Sequence, residues 1–139
     1  MYPKAQQVLM TADGGGSNGR RSRLGKVAWQ WLSDTTGLDV CVCHVPPGTS
    51  TWNKIAHRLC CHITENWRGR PLVSHEVMVH LRAHTTTETG LRVAAALDPT
   101  SYPTGTKVSD DELAHVNFYP AAFHGDDWHY VIKPSRKNQ

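Results

Sequence analysis

Two short apolar runs, separated by one helical stretch, constrain the fold of this chain more than any other feature. The first run, Val8–Ala12, ends at Asp13 and a glycine-rich turn, and the second, Leu38–Val45, ends at a proline-proline-glycine sequence. Runs bounded in this way predict buried strands. Between them, a helix ending at Gly37 is predicted over residues 20–36, from apolar side chains at Leu24, Val27, Ala28, Trp31 and Leu32. This order predicts a parallel βαβ unit with a right-handed crossover, and therefore an α/β fold with parallel strands flanked by helices.

The remainder of the chain predicts three more helices and one more strand. Helices are expected over residues 50–67, 74–86 and 109–116, and a strand over residues 91–97. The first of these helices has an apolar stripe with a spacing of four, at Ile55, Leu59, Ile63 and Trp67. Ser74 is the predicted N-cap of the next helix, and Ser109 with Glu112 is typical of a capping box.

Length and composition indicate a globular protein. The chain has 139 residues, of which 39% are hydrophobic and 19% charged, which suits one compact domain. No apolar stretch approaches the ~20 residues of a membrane-spanning helix, and the first residues lack the layout of a signal peptide. We therefore expect a cytoplasmic protein with no membrane partner. The net charge of +3 permits binding to nucleic acid but is too small to argue strongly for it.

Four cysteines and nine histidines raise the hypothesis of a zinc site. Cys41, Cys43 and His44 share one predicted strand, and a second group shares one predicted helix, at His57, Cys60, Cys61 and His62. Successive strand residues point to opposite faces, so Cys41 and Cys43 face away from His44. No C-x-x-C or H-x-x-x-H pair occurs among these residues. Free thiols in a reducing compartment are the favoured interpretation, and a zinc-stabilised structural domain is the alternative.

Asp13 stands where a predicted strand ends in a turn, which is where ligands bind in open α/β sheets. It is a candidate ligand for a metal or a substrate. An aspartate that only caps the turn fits the same position. The glycine loop that follows, Gly14–Gly19, matches neither the phosphate-loop pattern nor the dinucleotide-binding pattern, which argues against a nucleotide site.

Two groups of basic side chains flank the predicted strand ends. The first follows the glycine loop and comprises Arg20, Arg21, Arg23 and Lys26; the second lies on a predicted helix and comprises Lys54, His57 and Arg58. Runs of this kind are most often solvated helix faces. Two of them beside the same strand ends also suit the path of a polyanion, which makes DNA a candidate partner.

Six segments closely resemble the DDE domain of Rhodopirellula-type (ISAzo-type) insertion-sequence transposases. They occur in the family's order and span nearly the whole chain: Thr11–Gly19, Cys43–Ser50, Trp52–Leu59, Asn66–Ser74, Thr85–Leu91 and Lys107–Leu113. The resemblance implies an RNase H-like fold, and it implies that residues 1–133 are the C-terminal part of a transposase catalytic domain followed by a polar tail, 134–139.

The same resemblance implies DNA strand cleavage and joining with two divalent ions, Mg²⁺ or Mn²⁺, held by three carboxylates. Clustered carboxylates offset the repulsion between two dications that stabilise the attacking and leaving oxygens. Asp13 matches the family's second acidic residue. Ala56 stands where the family's motif has its glutamate, and the first acidic residue belongs to an earlier strand, before the start of this chain. The expected fold is therefore a partial one that lacks its opening strands.

We predict that this chain neither holds the metal ions productively nor cleaves DNA alone, and that Ala56→Glu does not restore activity. Without the opening strands, the strands around Val8 and Val40 should have an open apolar edge. This predicts marginal stability, self-association or pairing with another polypeptide. Two further hypotheses are a non-catalytic DNA-binding or regulatory fragment that assembles with an intact transposase, and a piece of a longer enzyme in which glutamate 56 was replaced by alanine to stop turnover.

Overall fold

The computed structural model describes residues 3–16, 19–46, 48–121 and 128–135. In chain order, the elements are β1 (Gln7–Asp13), α1 (Arg23–Thr36), β2 (Asp39–Val45), a 3-10 turn (Ser50–Trp52), α2 (Lys54–Trp67), α3 (His75–Ala83), α4 (Asp110–Ala114), β3 (Phe118–Pro120) and β4 (His129–Ile132). The chain forms two compact units, the first from Met1–Asn53 with Thr104–Gln139 and the second from Lys54–Pro103. In the part of the chain that the structure describes, no helix is both long enough and apolar enough to cross a membrane.

The first unit is built on a four-stranded sheet with the order β1-β2-β4-β3. β1 and β2 are parallel, with Val8 opposite Val40, which confirms the predicted βαβ pairing. β4 pairs antiparallel with β2, and β3 pairs antiparallel with β4. The sheet is therefore mixed rather than parallel, because a hairpin that the sequence analysis did not predict occupies the outer edge of β2. The predicted open edge at Val40 is wrong for the same reason, whereas β1 does lie at the edge of the sheet.

One face of this sheet forms the core. Val40, Val42, Tyr130 and Ile132 are buried there. The partly buried side chains that pack against them are Val8, Met10, Trp29, Leu32, Val116 and Phe118. β2 alternates strictly between buried and half-buried residues. This confirms that Cys41 and Cys43 face one way and His44 the other.

The buried face of α1 differs from the predicted one. Trp31 is 69% exposed, while Trp29 and Leu32 pack on the sheet. Ser33 is fully buried, and its Oγ donates a hydrogen bond to the carbonyl of Leu38 at 2.7 Å. A small hydroxyl side chain lets the helix approach β2 closely, so the contact stripe is centred on Trp29 and Ser33. Trp29 and Trp31 each stand three or four residues from another apolar residue of α1. Their spacing therefore could not show which of the two packs on the sheet.

Both ends of α1 are capped by local hydrogen bonds. Ser22 is the N-cap, and its Oγ accepts from the backbone N–H of Gly25 at 3.1 Å. Gly37 ends the helix in the left-handed conformation with φ 71°, as predicted. The helix therefore begins at Arg23 and not at the predicted residue 20, because the side chain of Ser22 replaces the missing first-turn bonds.

The second unit contains α2 and α3. Ile63 and Trp67 are half-buried, but Ile55 is 79% exposed, so only the C-terminal half of the predicted apolar stripe on α2 is covered. The Arg82 guanidinium lies 5.0 Å from the Trp67 ring centre. Ser74 caps α3 as predicted, with its side chain accepting from the N–H of Val77, and the helix ends at Ala83 rather than at residue 86.

The strand predicted over residues 91–97 is absent. Residues 91–96 do alternate between half-buried and exposed, but only an isolated bridge between Thr86 and Arg92 forms in this part of the chain. Alternating burial suits the side chains of a strand, but the backbone N–H and C=O groups also need a neighbouring strand for their hydrogen bonds. The capping box at Ser109 and Glu112 is confirmed, and α4 ends at Ala114, before the predicted residue 116.

Candidate functional site

Asp13 is the last residue of β1 and is exposed at the carboxyl end of the strand. β1 and β2 run parallel, with Asp13 opposite Val45 in the register. The loops that follow the two strands therefore begin at the same end of the sheet. The chain turns away at Gly14–Gly16, where Gly16 has φ 58°, a conformation open to glycine at little cost. This is the ordinary location of ligand sites in α/β sheets.

The Asp13 carboxylate lies beside an amide that the sequence analysis did not single out. Asn53 Nδ2 donates to Asp13 Oδ1 at 3.4 Å, and Thr11 Oγ1 donates to Asn53 Oδ1 at 3.4 Å. Both bonds are long and therefore weak. They border a concavity of about 330 Å³ that is lined by Met10, Thr11, Ala12, Asp13, Trp29 and Asn53. Asn53 belongs to the segment Trp52–Leu59 that carries part of the family resemblance, which was the one available signal.

This concavity does not fit a two-metal centre. Among the described residues that line it, Asp13 has the only carboxylate, and the other side-chain oxygen donors are a neutral amide and a hydroxyl. Across the residues that the structure describes, no group of three or more His, Cys, Asp or Glu side chains is placed to hold a metal ion. Two dications need several negative ligands to offset their repulsion, and one aspartate does not supply them.

Ala56 lies in the first turn of α2, in the second unit, and is half-buried. Its methyl side chain offers no oxygen to a cation. Lys54, His57 and Arg58 are exposed on the same helix. Their spacing of three and four residues places them on one helix face, so the structure brings the second predicted basic group together.

Arg20 and Arg21 occupy the turn before α1 and line a concavity of about 180 Å³ with Gly14, Gly19 and Trp128. The Arg20 guanidinium lies 4.6 Å from the centre of the Trp128 ring, a cation–π contact. Trp128 could not be predicted as part of this surface, because nothing in the spacing of the chain links it to a residue more than a hundred positions earlier. A basic and aromatic surface therefore adjoins the glycine turn that follows Asp13.

Arg23 and Lys26, from the same basic group, make structural contacts. Arg23 Nη1 binds Asp110 Oδ1 at 2.6 Å and the Val108 carbonyl at 3.3 Å, which ties the start of α1 to α4. Lys26 Nζ lies 4.8 Å from the Phe118 ring centre. The structure thus separates Arg20 and Arg21 from Arg23, although the sequence groups all three.

The four cysteines are free thiols. Cys41 is half-buried, with its Sγ 3.2 Å from His129 Nε2. Burial raises the pKa of the Cys41 thiol, and neighbouring Cys43 raises it further. Cys60 and Cys61 are exposed on α2. None of these thiols belongs to a cluster of three potential ligands within the described ranges, so the zinc hypothesis gains no support from the structure.

Residues 1–134 match the protein family described as Rhodopirellula transposase DDE domain. The matched range includes Asp13, Ala56 and both basic groups, and it confirms the resemblance drawn from the six segments. No curated protein and no solved structure matches the chain.

Proposed function

Because the chain belongs to the family of the Rhodopirellula transposase DDE domain, we propose that it is a DNA-binding part of a transposase with an RNase H-like fold. In this proposal, Asp13 is one ligand of a metal-dependent strand-transfer centre that the side chains of this chain do not complete. The chain therefore binds DNA but does not cut or join it alone.

The observation that carries the proposal is that Arg20 and Arg21 share a concavity with the glycine turn that directly follows Asp13. The aspartate ends β1, and the two arginines line a concavity that also includes Gly14, the residue directly after it. Arginine side chains neutralise phosphates and position a DNA strand. A strand held by these arginines would pass the carboxylate that the family resemblance assigns to metal binding.

The family's divalent ions would supply charge stabilisation for phosphoryl transfer when bound. Two such ions need several negatively charged ligands. The described side chains at the concavity below the end of β1 offer one negative charge among them, from Asp13, beside the neutral Thr11 and Asn53. The Ala56 methyl group adds neither charge nor lone pairs. We accordingly assign DNA binding, and no step of catalysis, to this chain by itself.

A nicking assay on supercoiled plasmid with Mg²⁺ or Mn²⁺ tests the catalytic part of the proposal. We expect no nicking by the wild-type chain or by Ala56→Glu, because a second carboxylate still leaves the centre incomplete. Asp13→Asn is the matched control, since nicking that persists in this variant comes from a contaminating nuclease. Robust metal-dependent nicking by the wild-type protein that Asp13→Asn abolishes would refute the proposal.

Fluorescence anisotropy with labelled duplex DNA tests the binding part. We expect affinity to fall with rising salt, and Arg20→Ala or Arg21→Ala to reduce the slope of log affinity against log salt by about one, the effect of one lost phosphate contact. Arg92→Ala, at an exposed position in the second unit, is a control that removes the same charge elsewhere. Binding that is insensitive to salt, or equal losses in all three variants, would contradict the proposed surface.

A further inference from the structure

A third concavity in the first unit shares a lining residue with each of the two already described. It has a volume of about 260 Å³ and is lined by Gly19, Ser22, Leu24, Gly25, Ala28, Trp29, His44 and Tyr130. It shares Trp29 with the concavity at Asp13 and Gly19 with the concavity at Arg20 and Arg21. Through these shared residues the third concavity, the Trp29–Tyr130 chamber, adjoins both the concavity at Asp13 and the concavity at Arg20 and Arg21.

The chamber has the size and the walls for one planar ring. Ligand pockets for drug-sized molecules measure about 300–1,000 Å³, so a chamber just below that range suits a single heterocycle. The half-buried Trp29 supplies aromatic surface, the buried Tyr130 completes the wall, and Gly25 with Ala28 leave room beside Trp29 on the same face of α1. Aromatic side chains bind nucleobases of any sequence by stacking.

Polar groups in the chamber wall could orient a ring. His44 Nε2 and the Tyr130 hydroxyl are hydrogen-bonded at 3.0 Å, and both residues are buried. A few fixed polar groups in a mainly apolar pocket are the usual source of orientation in ligand sites.

The charges beside the chamber favour a nucleic acid strand as the occupant. Among the described residues that line the chamber and the arginine concavity, none has an acidic side chain. Arg20 and Arg21 line the adjoining concavity and would bind the phosphates on either side of a base. The Arg20 guanidinium already stacks on Trp128, a combination of cation and aromatic ring that single-strand binding surfaces use.

We propose that the Trp29–Tyr130 chamber binds one unpaired nucleobase of a DNA strand whose phosphates contact Arg20 and Arg21. The inference rests on the proposed function, DNA binding, and goes beyond it by naming the DNA form. A base inside a duplex cannot enter a concavity of this size without leaving the stack, which costs a few kcal/mol. The chain should therefore prefer DNA that presents an unpaired base.

Two DNA probes test this inference: a perfect duplex, and the same duplex with one extrahelical 2-aminopurine, whose emission reports stacking. We expect the wild-type chain to bind the second probe about fivefold to a hundredfold more tightly, the range of one base–aromatic stack, and to change its emission. Ala28→Leu fills the chamber, and Trp29→Phe reduces the stacking surface while keeping an aromatic core contact. Both should lose the preference and the change in emission.

Trp31→Phe is the matched control, because Trp31 is on the same helix but is 69% exposed and lines none of the three concavities. Circular dichroism and a thermal melt establish that each variant folds, and Trp29→Phe decides the outcome if Ala28→Leu does not. Salt-sensitive duplex binding with no preference for the extrahelical base would overturn this inference and leave the proposed function intact. Failure to bind either probe would overturn both.

Discussion

Cys41 is a thiol whose chemistry depends on its place in the sheet. Its sulfur is half-buried in β2 and 3.2 Å from His129 Nε2. A neighbouring imidazole often activates a cysteine, but here burial raises the pKa of the thiol, and Cys43 adds to the effect. Since the thiolate is the nucleophile, Cys41 should be an unreactive cysteine.

Alkylation with iodoacetamide at neutral pH, followed by mass spectrometry, tests this prediction. Cys60 and Cys61 are exposed on α2 and should be modified well before Cys41. In denaturant, where burial is lost, the difference should disappear. Modification of Cys41 first in the folded protein would show that the histidine, and not burial, controls this thiol.

At the scale of elements, α4 is a short helix that depends on its cap. The Ser109 N–H donates to Glu112 Oε2 at 2.8 Å, and the Glu112 N–H donates to Ser109 Oγ at 3.2 Å. Hydrogen bonds from the backbone and then the side chain of Ser109 lower the pKa of Glu112. A helix of five residues is too short to be stable by propensity alone, so the cap and the Arg23–Asp110 ion pair hold it in place.

The lowered pKa of Glu112 gives a pH dependence with a defined sign. A carboxyl group whose pKa is depressed in the folded state contributes stability above its ordinary pKa, about 4.3 for glutamate, and this contribution is lost as the pH falls through the lowered value. Unfolding of the wild-type chain should therefore become easier toward acid, and Glu112→Gln should reduce that slope. Denaturant titrations between about pH 3 and 6 measure it, and identical slopes in both proteins would contradict the prediction.

At the scale of the whole molecule, the sheet of the first unit has an exposed edge and a partly exposed face. β1 lies at one edge, and Leu9, Cys41, Val131 and Tyr119 lie side by side across the four strands. By alternation they are on the face opposite the core. Leu9 is 64% exposed and Tyr119 51% exposed. Parallel strands are usually covered on both faces, so this surface favours association.

We predict marginal stability and self-association, with β1 as the pairing edge. An unpaired edge strand with an exposed leucine and no lysine or proline invites strand addition. Leu9→Lys should shift the protein toward monomer, whereas Leu97→Lys, at an exposed position in the second unit, should not. Analytical ultracentrifugation measures the association, and a monodisperse wild-type monomer with a sharp, high melting temperature would disprove the prediction.

Features that depend on neighbours a few residues apart could be predicted from the order of the residues alone. The β1-α1-β2 unit, the stop at Gly37, the caps at Ser74 and Ser109, and the opposite faces of Cys41 and His44 all follow from short spacings and local hydrogen bonds. The family was also evident, because the six segments preserve both residue types and order.

Features that join distant parts of the chain could be read from the three-dimensional structure alone. They have no local signature in the sequence: the insertion of β4 beside β2, the packing of Trp29 rather than Trp31 on the sheet, and the contacts of Asp13 with Asn53 and of Arg20 with Trp128. They depend on which strands pair and how closely a helix approaches the sheet. Those outcomes are set by burial summed over the whole unit, which no single spacing in the sequence records.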